Sequence, residues 1–267
     1  MLMALIAATP LVLVFYYVVV NGAPALDWDF FTQIPAPVGA SGGGMANALL
    51  GSGILLGLAS VLAIPFGVLG GVYLAEYPSS RLSQWLHLSI DLLTSIPSIV
   101  VGLFVYAMVV IPMGGFSAHA GGLALALLML PIITKTTVEI LQLTPSSIRE
   151  GALALGIPRW RVLTSILLGG SKSALLTGIM LAVARVAGET APLLFTAFGN
   201  QFWPSGLNQP TPSLPVQIYT YATSPYEEWH RKAWAGALFL VMLVMCLNLL
   251  TRFLVSRNYL YRKRKGK

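Results

Sequence analysis

Charge is what this sequence has least of. Among 267 residues there are 16 Lys+Arg and 9 Asp+Glu, so only 9% are charged, where a soluble domain carries about a quarter. Hydrophobic residues make up 56% and the mean hydropathy is +0.78. So few charges cannot cover a water-soluble globule of 28.5 kDa; the solvent for most of the chain is lipid. A cytosolic enzyme, a secreted disulfide scaffold and a disordered tail protein are thereby excluded. Cysteine is nearly missing too. Cys246 stands alone, so no intrachain disulfide can form, and its apolar setting reads as a small buried hydrophobe. The three histidines, His87, His119 and His230, share no metal-binding spacing. No short-period repeat and no low-complexity tract is visible.

What is present is a set of long apolar runs. A spanning helix needs about 20 mostly apolar residues, and six segments qualify: 1–20, 48–74, 86–111, 120–139, 173–198 and 233–255. The expected fold is therefore all-α, a single polytopic membrane domain over 1–267 with six transmembrane helices. The first segment lacks a basic leader and its apolar run is too long for a signal peptide, so it is read as a true span. That leaves room for a cytoplasmic extension ahead of it in the natural protein. Glycines of the second span (Gly51, Gly53, Gly57, Gly67, Gly70 and Gly71) suit close helix packing.

The net charge of +7 is unevenly placed. Five basic residues, Arg262, Lys263, Arg264, Lys265 and Lys267, crowd the last six positions. That marks a cytoplasmic C-terminus rather than a nucleic-acid site. With six spans the N-terminus is also inside, and the loops 75–85 and 140–172 face the cytoplasm. This topology puts twelve Lys/Arg inside against two, Arg231 and Lys232, outside. The outer loops, 21–47 and 199–232, are rich in proline; the second also carries Trp203, Tyr219, Tyr221, Tyr226 and Trp229. Such loops suit either docking of a partner protein or an interfacial aromatic belt.

The inner loop 140–172 reads as structured. Ser147 and Glu150 have capping-box spacing, with Pro145 just before them. Ile148, Ala152, Leu153 and Leu155 form a short apolar face, Gly156 is placed for a left-handed stop, and Pro158 for the first position of a second helix. A side chain at 156 is expected to clash or to strain the backbone. Here the residues resemble a known motif. Glu150-Gly151-Ala152, three residues, Gly156, nine residues, Ile166-Leu167-Leu168 is similar to the EAA loop of ABC importer permeases, E-A-A-x3-G-x9-I-x-L-P. Glu150, Ala152, Gly156, Ile166 and Leu168 match; Gly151 and Gly169 depart from the pattern. The resemblance implies a type I (MetI-like) permease whose loop, from Ser147 through Leu168, couples to two cytoplasmic ATPase subunits. No G-x-x-x-x-G-K-[ST] occurs. Gly169-Gly170-Ser171-Lys172-Ser173 has only its tail, with Ser171 intervening and Ser165 in place of the first glycine. ATP and Mg²⁺ are thus expected on partner subunits; this chain is expected to hold no cofactor and no metal, and not to be an enzyme alone.

Charged residues within apolar runs call for a functional reading, because one costs at least about 2.5–3.5 kcal/mol at a bilayer centre. Arg185 and Glu189 fall mid-way along the fifth run, and four-residue spacing would place both on one helical face. Lys135 and Glu139 have the same spacing near the inner end of the fourth run. Asp91 precedes Thr94, Ser95, Pro97 and Ser98, where a proline kink is expected. The segments GVYLAEYP (71–78), LLTSIPSIVVGLFVY (92–106), ARVAGETAPLLFTA (184–197) and the YAT…AWA stretch (Tyr221 to Ala235) resemble permeases of bacterial phosphate-specific ABC importers. The likeness is to their A-type subunit and covers nearly the whole chain. It implies an inner-membrane protein partnered by a C-type homologous permease and an external phosphate-binding protein, with Arg185 and Glu189 lining the phosphate path. Guanidinium chemistry agrees, since its planar fork matches phosphate oxygens and stays protonated. Two rivals stay open: an ABC permease for another oxyanion, sulfate or molybdate, and a secondary transporter using the charged pair without ATP.

Overall fold

Long apolar runs can satisfy their backbone groups in lipid only by bonding within themselves, so they form helices. The computed structural model describes residues 2–37 and 42–265, and among them there are helices and no strand. In chain order these are α1 (Leu2–Gly22), α2 (Ala46–Glu76), α3 (Arg81–Ser95), α4 (Ser98–Met113), α5 (Ala118–Gln142), α6 (Ser146–Ala154), α7 (Arg159–Leu168), α8 (Lys172–Val186), α9 (Ala191–Thr196), α10 (Leu214–Ala222) and α11 (Glu227–Lys265). A 3₁₀ turn at Ala23–Ala25 and a five-residue helix at Trp28–Thr32 fill the link between α1 and α2. Four stretches, Ala8–Ala25, Ala46–Glu76, Ala118–Gln142 and Glu227–Leu249, are long and apolar enough to cross a membrane unaided. The count reaches six when the broken pairs α3–α4 and α7–α8 are each taken as one span.

Breaks divide two of the expected spans into separate helices. The run 86–111 is not one helix: it stops at Ser95, Ile96 turns extended at φ −74, ψ 130, and a new helix starts after Pro97. Proline removes the amide that would bond the Leu93 carbonyl, and it forces the residue before it out of the helical region. The neighbouring hydroxyls do not replace that bond. Thr94 donates to the Ile90 carbonyl at 2.7 Å and Ser95 to that of Asp91 at 2.8 Å, one turn earlier.

The run 173–198 is likewise divided. Helix α8 ends at Val186, residues 187–190 form a turn, and α9 begins at Ala191. Gly188 and Pro192, four apart, explain the stop, since Pro192 has no N–H to give to the Gly188 carbonyl. At its other end the helical path reaches back to Arg159, bending by 72° between α7 and α8 around Gly169 and Gly170.

Two compact units emerge. The first comprises 1–57, 98–124 and 187–245; the second comprises 58–97, 125–186 and 246–267. In the first unit Phe30, Met45, Ala48, Leu214, Tyr221, Ala233 and Ala235 form a buried cluster. Tyr221 stacks on Trp229 with ring centres 4.6 Å apart, so two of the outer-loop aromatics are packing residues. Trp203, Tyr219 and Tyr226 remain exposed. Gly102 lies against Pro192, bringing α4 and α9 into backbone contact. In the second unit Leu74, Ile90 and Val138 join α2, α3 and α5. The expectation of glycine-mediated packing holds at three positions. A Cβ on Gly67 would meet Ile133 at 2.8 Å, one on Gly71 would meet Thr137 at 2.5 Å, and Gly51 adjoins the Pro212 carbonyl. Gly53 and Gly57 face open space.

Candidate functional site

The second unit carries the loop singled out in the sequence. Helix α6 has nine residues, too few to be stable in isolation, so its position depends on what it touches. Its N-cap is Pro145, at φ −55 and ψ 136, with no side-chain cap bond. The expected Ser147–Glu150 capping box is therefore not formed: the helix starts at Ser146, which puts Ser147 inside the first turn, and both residues are exposed.

The C-terminal stop is as read. Gly156 is left-handed at φ +74. Its amide donates to the Leu153 carbonyl at 2.9 Å and that of Ile157 donates to the Ala152 carbonyl at 3.2 Å. These are the two bonds of a Schellman motif, with Ile157 folded back near Ala152. A Cβ on Gly156 would meet nothing within 4 Å, so only the backbone strain was correctly anticipated, not the clash. Pro158 is the N-cap of α7 rather than its first residue, its carbonyl accepting from the amides of Arg161 and Val162 at 2.9 and 3.1 Å.

Ala152 is the one buried side chain of α6. It packs with Leu141, Val162 and Leu167, and against this group lie Val72 and Ala75 of α2 together with Ile157, Leu163, Ile166 and Leu168. Among the motif residues, Ala152, Ile166 and Leu168 thus hold the loop together, whereas Ser147, Glu150 and Gly156 face outward. Of the short apolar face read in the sequence, the other three residues are exposed. Leu155 is 82% exposed, and Ile148 and Leu153 are exposed beside it, with Leu143 and Trp160. Arg161 lies over the Trp160 ring, 5.2 Å from its centre.

One contact was not legible in the chain. Arg149 Nη2 sits 2.6 Å from Glu76 Oε1, tying α6 to the last residue of α2. A second ion pair takes up Lys135, one of the two charges near the inner end of the fourth run. Lys135 Nζ bonds Asp91 Oδ1 at 2.7 Å, across from α5 to α3, and Glu139 stays exposed.

Arg185 is one residue from the end of α8, and its side chain is exposed. Glu189 lies beyond the helix end, half-buried. The spacing of four therefore does not stack the two on one helical face. The carbonyl end of α8 itself favours a cation in its last turn, so Arg185 has an electrostatic complement without the carboxylate. Among the described residues no three His, Cys, Asp or Glu side chains gather as metal ligands.

Residues 67–258 match the family of binding-protein-dependent transport system inner membrane components. The phosphate transport system permease protein PstA of Yersinia pestis is 47% identical over 249 residues, covering 93% of this chain and 84% of that protein. PstA of Haemophilus influenzae is 48% identical over 241 residues, 90% of this chain and 85% of its own. The probable PstA of Methanocaldococcus jannaschii is 36% identical over 252 residues, 94% and 89% respectively. The fold is shared with an inward-facing structure of the MetNI methionine ABC transporter, at a TM-score of 0.61 and 17% identity, covering 80% of this chain and 96% of that one. With a family match over residues 67–258 and relatives covering most of its length, the chain belongs to the binding-protein-dependent transport inner membrane components and, within them, to the PstA permeases.

Proposed function

We infer that the chain is the A-type permease of an ATP-driven importer of inorganic phosphate. The observation that carries this is α6, a short helix ended by a left-handed glycine and exposing Leu155, Ile148 and Leu153 to solvent, in a chain whose relatives are phosphate permeases. An apolar face this exposed on a helix this short needs a partner. The partner is a cytoplasmic ATPase subunit: two of them sit below this chain and a C-type homologous permease, and an external phosphate-binding protein delivers the ion. Nucleotide and magnesium belong to the ATPases. The protein resides in the bacterial inner membrane with both termini inside, as the Lys/Arg bias favours.

Phosphate crosses between the two permeases, and Arg185 neutralises it on the way. Exposed at a helix end, the guanidinium is free to form a two-pronged bond to the oxyanion. Glu189, in the turn past the helix, is half-buried and supplies the counter-charge when the path is empty. Ser147, Glu150, Ala152, Gly156, Ile166 and Leu168 form the coupling element: the first, second and fourth on its outer side, the others in its support. Purified complex in liposomes with external binding protein should take up phosphate only with ATP inside and be blocked by vanadate. Equal uptake of sulfate, or uptake in a complex stripped of the ATPase, would replace this function with one of its rivals.

A further inference from the structure

We propose that the Arg149–Glu76 ion pair is a tether that carries movement of α6 to α2, making both side chains positioning residues for energy coupling. The inference rests on reading α6 as the ATPase-coupling element. That helix is continuous in sequence with α7 and α8, so a push on it reaches α8 along the chain. Nothing covalent near it leads to α2; the link has to be made by side chains.

The structure supplies that link on one face. Arg149 and Ala152 are three apart on α6, and Val72, Ala75 and Glu76 are three and four apart on α2, so each set lines one side of its helix. Ala152 belongs to the apolar cluster against which Val72 and Ala75 pack, and Arg149 closes on Glu76 at 2.6 Å. Alanine offers little area for grip, and it is the one buried side chain of α6, so apolar packing alone holds the helix weakly. The ion pair adds a charged fastening beside it. Its side chains are 32% and 17% exposed, so it is partly shielded from water. A cavity of about 230 Å³ beside it, lined by Tyr77, Leu153 and Arg159 among others, leaves room for the pair to travel as a unit.

The test uses the whole importer with its binding protein in liposomes, reading phosphate transported per ATP hydrolysed. Glu76→Gln and Arg149→Gln should each lower that ratio about tenfold while the ATPase still co-purifies, and the double variant should be no worse than either. A tether defect is reversible by another tether. In a Glu76→Cys/Arg149→Cys protein with Cys246→Ser, joining the thiols with a short bifunctional reagent should restore the ratio. An unchanged ratio in the Gln variants, no recovery on cross-linking, or loss of the ATPase from the complex would each overturn the proposal, the last by assigning the pair to docking. Leu155→Asp separates this from the underlying reading: if that variant keeps both its ATPase and its transport, α6 is not the coupling element at all.

Discussion

Arg185 is exposed in the last turn of a 15-residue helix, where helix carbonyls and charge favour one another. Its removal should therefore cost little stability and much function. Arg185→Gln is expected to abolish phosphate uptake while complex yield and basal ATP hydrolysis stay near wild type. Arg185→Lys keeps the charge but loses the planar fork, so uptake should fall to an intermediate level. Full transport by the Gln variant would reduce Arg185 to a helix-end cation. Gly156 gives the opposite balance. Nothing crowds a Cβ there, so Gly156→Ala meets only the left-handed strain, about 1–2 kcal/mol. Gly156→Asn, which tolerates that conformation better, should recover part of it. Thermal unfolding of the purified complex reads the order Gly, Asn, Ala.

Among the elements, α2 and α5 approach as closely as their backbones allow. A Cβ at position 71 would lie 2.5 Å from Thr137 Cβ and 2.8 Å from the Thr134 carbonyl, neither of which is the end of a flexible side chain. Gly71→Ala should destabilise the protein by about 1–3 kcal/mol through overpacking. Gly57→Ala, on the same helix but facing open space, is the control and should lose none of that. The thermal midpoints of the two variants provide the comparison. Element boundaries were partly legible. Pro97 announced its break, and Gly156 its turn, because each acts through its own backbone. Gly188 and Pro192 carried an equally local signal that hydropathy averaging hid, since the segment around them stays apolar. The caps misled for a different reason: Ser147 and Glu150 have the right spacing, but Pro145 enters with an extended ψ and starts the helix two residues too early for the box. Arg149–Glu76 and Lys135–Asp91 were beyond reach, because their partners are 73 and 44 residues apart and only tertiary packing selects them.

For the whole molecule, composition alone settled that the chain lives in lipid, and the relatives agree with the resemblance carried by its motifs. Orientation rests on a different kind of argument. Twelve Lys/Arg fall on one side of the expected topology and two on the other, an asymmetry that the insertion machinery reads as inside and outside. On that topology two exposed residues are expected on opposite sides: Leu155, 82% exposed beyond α6, and Trp203, 47% exposed between α9 and α10. With Cys246→Ser as background, a cysteine replacing Leu155 should react with a membrane-impermeant maleimide only in inside-out vesicles. One replacing Trp203 should react only in intact spheroplasts. Adding the ATPase should then shield position 155, because the same face that labels from the cytoplasm is the one α6 offers to its motor. Labelling of 155 from outside would invert the topology and place the coupling loop where no ATP is hydrolysed, and no import driven through α6 would survive that result.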